Sequence, residues 1–205
     1  MSSSWSYLDP LILPLIVGRT VLDVGCGMGR WGALIETNYW EAHLDAAPEV
    51  DGCDAFEPNV DHCRRRGAYR RVWVQSMPSP LAGTWDTVLA SELIEHIPEE
   101  QVTETLDVLE AAATRRVVVS TPNSPLYRPG SETPLGFNEW GAHVSYVPRS
   151  VLSDRGYRLH GAGFGRYNSR LALTAARWGL RKSLVSLPYR VPAVAETIVV
   201  VKEVG

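Results

Sequence analysis

The sequence predicts an α/β fold built on a doubly wound, mostly parallel sheet. Short apolar runs of β type alternate with helical stretches along the chain, and a glycine-rich loop follows the first of these runs. The chain has 205 residues, of which 45% are hydrophobic and 21% charged. These values predict one domain with its own core and exclude a disordered chain.

Seven runs are predicted strands. The clearest is Arg116–Thr121, which contains three consecutive valines, and the least regular is Tyr157–Gly161. The other five are Thr20–Val24, Val50–Phe56, Arg71–Gln75, Trp85–Ala90 and Thr197–Lys202.

Four helices are predicted between these strands. In one of them Val102, Leu106 and Leu109 recur at helical spacing with acidic residues between, which indicates a single buried face. Three of the helices have a proline at or just before their start, a position that proline tolerates. The predicted helices are Arg30–Thr37, Pro58–Arg66, Glu99–Ala113 and Pro148–Arg155.

Charge, hydropathy and cysteine content exclude several classes of protein. A net charge of −3 excludes a uniformly basic nucleic-acid binder. The longest early apolar run, Leu11 to Val17, is interrupted by Pro14 and is far shorter than the ~20 residues of a membrane span, and no signal peptide precedes it. Three cysteines without Cys-x-x-Cys spacing indicate neither a disulfide framework nor a zinc site, so we expect no metal and a cytoplasmic location.

Three segments lie outside this alternating pattern: 1–19, 122–147 and 164–193. They leave no room for a separate substrate domain within 1–205, so we expect them to cover the site and select its substrate. The segment 164–193 has six cationic residues and no acidic one. This composition suits the attraction of an anionic substrate, an amphipathic surface helix, or a solvated lid or homodimer contact, and the sequence leaves these open.

The glycine loop runs from Asp23 to Gly32 and connects the first strand to the first helix. Glycines allow a sharp turn and bring the backbone close to a ligand at a helix N-terminus. The spacing of Gly27, Gly29 and Gly32 also matches the dinucleotide fingerprint, so a nicotinamide-dependent oxidoreductase is an alternative. However, the Asp23 carboxylate would repel a pyrophosphate and attract a cationic ligand.

An acidic residue ends the second predicted strand, where a doubly wound fold places a ribose-binding carboxylate. Asp54 occupies this position, about 25 residues beyond the loop. Glu57 lies three residues further on and would take the role if the strand register differed.

Five stretches together resemble the class I S-adenosylmethionine-dependent methyltransferases: VLDVGCGMGRWG, GCDAFEPN, WDTVLASELIEHIP, RVVVSTPN and HVSYV. The resemblance implies a Rossmann-like fold with a seven-stranded sheet, a central first strand and an antiparallel last strand. It also implies that S-adenosyl-L-methionine binds across the carboxyl ends of the strands and leaves as S-adenosyl-L-homocysteine.

The resemblance also implies roles for individual residues. Asp23 and the loop glycines would hold the methionine end of the cofactor, Asp54 the ribose hydroxyls, and residues after the second and third strands the adenine. Ser91 and Glu92 would flank the methionine moiety. The loop glycines are Gly25, Gly27 and Gly29, and the adenine neighbours are Ala55, Phe56, Ser76 and Met77.

Two histidines are candidates for accepting a proton from the methyl acceptor, because histidine titrates near neutral pH. His96 follows the fourth predicted strand, where a packing role is the alternative, and His143 lies in the segment 122–147, where it could instead anchor the loop. Candidate acceptor-binding residues in the same segment are Tyr127, Arg128, Glu139 and Trp140.

The sequence therefore predicts methyl transfer to an oxygen or nitrogen of a small molecule or peptide, for which an anionic acceptor would suit the basic segment. A nucleic-acid acceptor is not expected, and a homodimer stays open. A non-catalytic scaffold that keeps the cofactor pocket is a second alternative, because a fold alone does not establish catalysis.

Overall fold

A computed structural model describes residues 6–41, 47–164 and 187–205. Seven of its strands form one sheet in the order β3-β2-β1-β4-β5-β9-β8, and β6 and β7 form a separate hairpin. The strands are β1 (Thr20–Val24), β2 (Glu49–Asp54), β3 (Arg71–Val74), β4 (Trp85–Ser91), β5 (Ala113–Pro122), β6 (Ser131–Thr133), β7 (Gly136–Asn138), β8 (Arg158–Phe164) and β9 (Ala195–Glu203).

Helices connect these strands and cover both faces of the sheet. Among the described residues, none of the helices is long and apolar enough to cross a membrane. The α-helices are α1 (Asp9–Ile12), α2 (Arg30–Glu41), α3 (Glu57–Arg66), α4 (Glu99–Ala112), α5 (Arg149–Asp154) and α6 (Leu187–Arg190).

The predicted fold class is confirmed. All seven predicted strands belong to the large sheet. β1 is an interior strand, third of the seven and next to the middle strand β4. β9 pairs antiparallel with both β5 and β8, while the other pairings in this sheet are parallel. The structure differs within 122–147, where the β6–β7 hairpin lies in a segment predicted to have no strand. The short helices α1 and α6 were not predicted either, because four residues are too few for a periodic pattern.

The alternating side chains of the strands form one core on each face of the sheet. Val117 and Val119 of β5 pack with the predicted buried face of α4, while Val118 packs on the opposite face with Ile35 of α2. Because successive strand residues point to opposite faces, a strand covered on both sides has a continuous apolar run. This explains the three consecutive valines of β5.

The basic segment lies almost entirely outside the described residues. Residues 165–186 contain five of its six cationic side chains, and only Arg190, in the last turn of α6, is described. The roles expected of this segment therefore stay predictions. The same holds for the role of residues 1–5, which also lie outside the described residues.

A buried carboxylate in β2 links this strand to the starts of β3 and β4. Asp51 accepts hydrogen bonds from Arg70 Nη2 at 2.7 Å, Arg71 Nη2 at 2.6 Å and the Trp85 indole at 2.9 Å. Burial opposes ionisation of this fully buried side chain, but the hydrogen bonds from the two arginines and the tryptophan prevail and lower the pKa of Asp51. The ionised form thus stabilises the folded state.

We predict that Asp51→Asn lowers the free energy of unfolding at pH 7 by about 2 kcal/mol, since hydrogen bonds to a charged group are lost. A folded-state pKa below the unfolded value gives stability above about pH 4 that is lost as the pH falls. The difference between variant and wild type should therefore shrink below pH 4 in denaturant titrations. A difference independent of pH between 3 and 7 would contradict this role for Asp51.

Candidate functional site

A cavity of about 1250 Å³ lies at the edge of the sheet where the parallel strands end. Residues at or just beyond the carboxyl ends of β1, β2, β3, β4 and β5 line it, together with Thr197 of the antiparallel strand β9. Because neighbouring strands are ~4.8 Å apart, six strands give this edge a width of roughly 24 Å. The lining residues that follow each strand in sheet order are Ser76, Asp54, Gly25, Ser91 and Asn123.

The glycine loop turns sharply after β1 to form one wall of this cavity. Gly25 and Gly27 have φ angles of 75° and 54°, in the left-handed region that favours glycine. A Cβ atom on Gly25 would lie 2.8 Å from the Leu93 side chain, so the close packing also requires glycine there. Gly25 and Gly27 line the cavity, whereas Gly29 is buried behind it.

Asp54 joins the end of β2 to this loop. Its Oδ2 accepts a hydrogen bond from the Gly27 amide at 2.8 Å, and its Oδ1 accepts from the Phe56 amide at 2.9 Å and the Asn59 side chain at 3.2 Å. Burial raises the pKa of Asp54, and these hydrogen bonds oppose the increase. A carboxylate is thereby held on the cavity wall beside the loop amides.

The alternative acid at this position lies elsewhere. Glu57 is the exposed first residue of α3 and is absent from the cavity lining. Of the predicted adenine neighbours, Ala55, Ser76 and Met77 line the cavity, but Phe56 does not. The strand register therefore brings Asp54 rather than Glu57 to the cavity wall.

Asp23 lies beneath the glycine loop and not on the cavity wall. Its Oδ2 accepts a 2.6 Å hydrogen bond from the Tyr69 hydroxyl, and its side chain is 1% exposed. Burial raises the pKa of Asp23 to about 7, although the Tyr69 hydrogen bond opposes this. The described geometry thus gives Asp23 a contact with Tyr69 under the loop, and a direct contact with the cofactor stays a prediction.

Ser91 ends β4, Glu92 follows it, and both line the cavity, while their predicted contact with the methionine moiety stays a prediction. Among the described residues, Glu92 is the one non-glycine residue with a positive φ, 54°. Its carboxylate accepts a 3.0 Å hydrogen bond from the Ser120 hydroxyl, and burial raises the pKa of Glu92 to about 7. Strained backbone at a cavity is typical of functional positions, where the surroundings hold a side chain in place.

The two candidate histidines come together although 47 positions separate them in the sequence. The rings of His96 and His143 are edge to face with centroids 4.7 Å apart, and both residues line the cavity. A main-chain bridge between Arg128 and His143 holds the backbone of the second histidine. Burial, followed by the charges of His96 and Arg128, lowers the pKa of His143 to about 4, and burial also lowers that of His96.

Glu95 is part of the same group, although the sequence analysis gave it no role. Its side chain is 2% exposed, and its Oε2 accepts a 3.2 Å hydrogen bond from the Thr121 hydroxyl. Its carbonyl oxygen accepts hydrogen bonds from the amides of Val144 and Ser145. The carboxylic side chain beside His96 in the sequence was the signal that could have indicated this residue.

The four predicted acceptor-binding residues separate into two pairs. Arg128 and Trp140 line the cavity. Tyr127 and Glu139 do not, and the Tyr127 side chain is 64% exposed to solvent on the outer surface.

Asn123 and Thr197 also line the cavity, and the sequence analysis gave neither a separate role. The Asn123 amide donates to the carbonyl oxygens of Pro192 and Ala195 at 2.9 Å, while Thr197 Oγ1 lies 3.1 Å from the Tyr7 hydroxyl. These contacts tie the chain before β9, and the N-terminal segment, to the cavity. Asn123 belongs to the stretch RVVVSTPN, and its place there was the sequence signal that could have indicated a position at the cavity.

The chain is similar to known proteins in sequence and in fold. A family model described as a methyltransferase domain matches residues 6–164. The chain belongs to the methyltransferase domain family. A probable S-adenosylmethionine-dependent methyltransferase of Mycolicibacterium smegmatis is 29% identical to this methyltransferase over 187 residues, which cover 84% of this chain and 67% of the relative.

A ubiquinone biosynthesis O-methyltransferase of Bordetella avium is 35% identical to it over 89 residues, which are 40% of this chain but 34% of that relative. Among solved structures, magnesium protoporphyrin IX methyltransferase from Synechocystis with bound S-adenosylhomocysteine has a TM-score of 0.58. That comparison has 16% identity and covers 96% of this chain and 82% of the other, so it shows the fold.

The protein is thus an S-adenosylmethionine-dependent methyltransferase, as its motifs predicted. The family match decides against the nicotinamide-dependent oxidoreductase suggested by the spacing of Gly27, Gly29 and Gly32. It also decides in favour of an enzyme over a non-catalytic scaffold.

Proposed function

We propose that this methyltransferase transfers a methyl group to an oxygen or nitrogen of a small molecule or peptide that binds beside His96 and His143. The observation that carries the proposal is the continuous cavity of about 1250 Å³. Single drug-sized ligands occupy pockets of about 300–1,000 Å³, so this cavity has space for the cofactor and a small acceptor together.

The cofactor would occupy the half of the cavity at β1, β2 and β3. The amides of the glycine loop and the carboxylate of Asp54 offer donors and an acceptor within one hydrogen-bonded unit, which suits a ribose and an amino-acid moiety. Ser76 and Met77, after β3, would border the adenine. Ser91 and Glu92, after β4, would flank the methionine moiety, where the acidic side chain of Glu92 suits an ammonium group.

The acceptor would occupy the opposite half, at β4, β5 and β9. The histidine pair, Arg128 and Trp140 line this part, and the segment 122–147 supplies three of these four residues. The side chain of Arg128 forms no ion pair within the described part of the chain. The charge of Arg128 acts on the buried carboxyls of Glu92 and Glu95, and the guanidinium can also meet an anionic group on the acceptor, while Trp140 offers an apolar face.

Methyl transfer depends on placing the acceptor atom in line with the methyl group. S-adenosylmethionine supplies that methyl on a sulfonium, which is a good leaving group, so proximity and orientation provide much of the rate. The imidazole rings of His96 and His143 would accept hydrogen bonds from an acceptor O–H or N–H group and so aim its lone pair. Ile97, Leu126 and Trp140 would supply apolar surface beside the reacting atoms.

The relatives are consistent with an acceptor of this size. One is named for ubiquinone biosynthesis and one for magnesium protoporphyrin IX. These names differ in the acceptor they indicate, so they support a small-molecule acceptor and do not select one.

We predict that Asp54→Ala weakens S-adenosylhomocysteine binding ten- to about a hundredfold, because a charge-assisted ribose contact is worth about 1.5–3 kcal/mol. Glu57→Ala is the matched control and should bind as the wild type does. Isothermal titration calorimetry measures both. Loss of affinity in Glu57→Ala with normal affinity in Asp54→Ala would reverse the assignment.

We predict that His143→Ala lowers turnover at least tenfold while the affinity for S-adenosylhomocysteine stays unchanged, because the acceptor loses a positioning contact. His62→Ala, in α3 and outside the cavity lining, is the control. The assay follows S-adenosylhomocysteine formation over a panel of hydroxyl, carboxylate and amine acceptors, with products identified by mass spectrometry. Wild-type turnover in His143→Ala would remove this residue from the acceptor site.

Neutralising the cavity arginine should affect anionic acceptors selectively. In Arg128→Gln we expect KM for an anionic acceptor to increase about tenfold and KM for a neutral analogue to stay constant. Arg190→Gln removes an exposed cation outside the cavity lining and should change neither value. An equal increase for the two acceptors would show that Arg128 does not recognise charge.

A further inference from the structure

Glu95, buried behind the cavity wall, forms a group with His96 and His143, which line the acceptor end of the cavity. Glu95, His96 and His143 each offer one potential ligand atom, and these three atoms lie within 4.8 Å of one another. Glu95 and His143 are 2% and 5% exposed. Two side chains that are more than nine-tenths buried thus face a third, half-buried one.

The buried polar atoms of this group lack partners. Glu95 Oε1 and both ring nitrogens of His143 have no hydrogen bond of normal geometry within the described residues. The backbone of Leu126 raises the His143 pKa slightly, yet it does not reach hydrogen-bonding geometry. Buried polar groups in folded proteins almost always have a hydrogen-bond partner or another ligand. The unpartnered atoms of Glu95 and His143 therefore indicate that a ligand binds between these side chains.

Neighbouring groups orient two of the three side chains, those of His96 and Glu95, as ligands. The Ala142 carbonyl can only accept, so His96 Nδ1 carries the hydrogen of the 2.8 Å bond between them and Nε2 carries the lone pair. Thr121 donates to Glu95 Oε2 and leaves Oε1 for another partner. A histidine that donates one ring N–H to a carbonyl, and presents the other nitrogen, is the usual arrangement in protein metal sites.

We propose that Glu95, His96 and His143 bind one divalent transition metal ion of the zinc type. Two imidazoles and one carboxylate are a donor set that zinc prefers, and three protein ligands leave a coordination position open. Bonds of about 2.1 Å place ligand atoms at most about 4.2 Å apart, so the observed atoms need to move by less than 1 Å. The acidic side chain of Glu92 and the guanidinium of Arg128 lie near Glu95 and act on it in opposite directions.

With the ion bound, the two imidazoles would position the acceptor through the metal instead of by direct hydrogen bonds, and this step rests on the proposed function. His96 and His143 line the cavity, so an open coordination position would suit a hydroxyl oxygen of an acceptor bound there, whose proton would pass to solvent water. The oxygen would then form the new C–O bond to the methyl carbon while the C–S bond breaks. The products are a methyl ether, S-adenosylhomocysteine and the released proton, so charge and atoms balance.

Cobalt(II) binding tests the site without requiring turnover. The full chain, stripped with a chelator, should bind one Co²⁺ per chain, with visible absorption bands that Zn²⁺ abolishes. Glu95→Gln and His143→Ala should each weaken Co²⁺ binding at least tenfold, whereas His62→Ala should bind as the wild type does. Thermal melting and S-adenosylhomocysteine binding check that each variant is folded, and Glu95→Gln preserves side-chain volume if His143→Ala fails this check.

The outcomes separate the metal site from the proposed function. Absence of stoichiometric Co²⁺ binding to the wild type, or equal affinity in Glu95→Gln and the wild type, would overturn the proposal. Normal S-adenosylhomocysteine binding and methyl transfer without metal binding would remove the metal and keep the proposed function. Stoichiometric metal binding that depends on Glu95 would support the site even if no acceptor of the proposed class were methylated.

Discussion

Parallel strand pairing is the constraint on which the site depends. Because β1 to β5 run in one direction, their carboxyl ends meet at one edge and deliver loop residues from distant parts of the sequence to one cavity. The hydrogen bond from the Gly27 amide to Asp54 joins two of these ends directly. The antiparallel strand β9 then adds Thr197 beside the end of β5.

The centre of the sheet stabilises the folded state, whereas the buried acidic groups at this edge destabilise it. Apolar side chains on the two faces, such as Leu22 and Val118, are completely buried, and each contributes about 1.5–3 kcal/mol. At the edge, Asp23, Glu92 and Glu95 are buried with raised pKa values, which opposes folding. Burial of the apolar side chains therefore offsets the free-energy cost of burying these acidic side chains at the cavity edge. The acidic side chains are better suited to binding ligands than to stabilising the fold.

The sequence predicted the parts of the molecule that local patterns encode. The valines of β5 and the glycine loop have periodicity or spacing of their own, and Asp54 has a fixed place after a strand. The Asp23–Tyr69 contact, the β6–β7 hairpin and the Glu95–His96–His143 group were not predicted. They depend on pairings between distant residues, such as the bridge from Arg128 to His143, which no local pattern records.

The central claim is that one cavity holds the cofactor at β1 to β3 and the acceptor beside the histidine pair. A crystal structure of the complex with S-adenosylhomocysteine tests it most directly. We expect the ribose hydroxyls to contact Asp54 and the sulfur atom to face His96 and His143, with space for the acceptor between them. A ribose bound by Glu57, or a sulfur atom directed away from the two histidines, would contradict it.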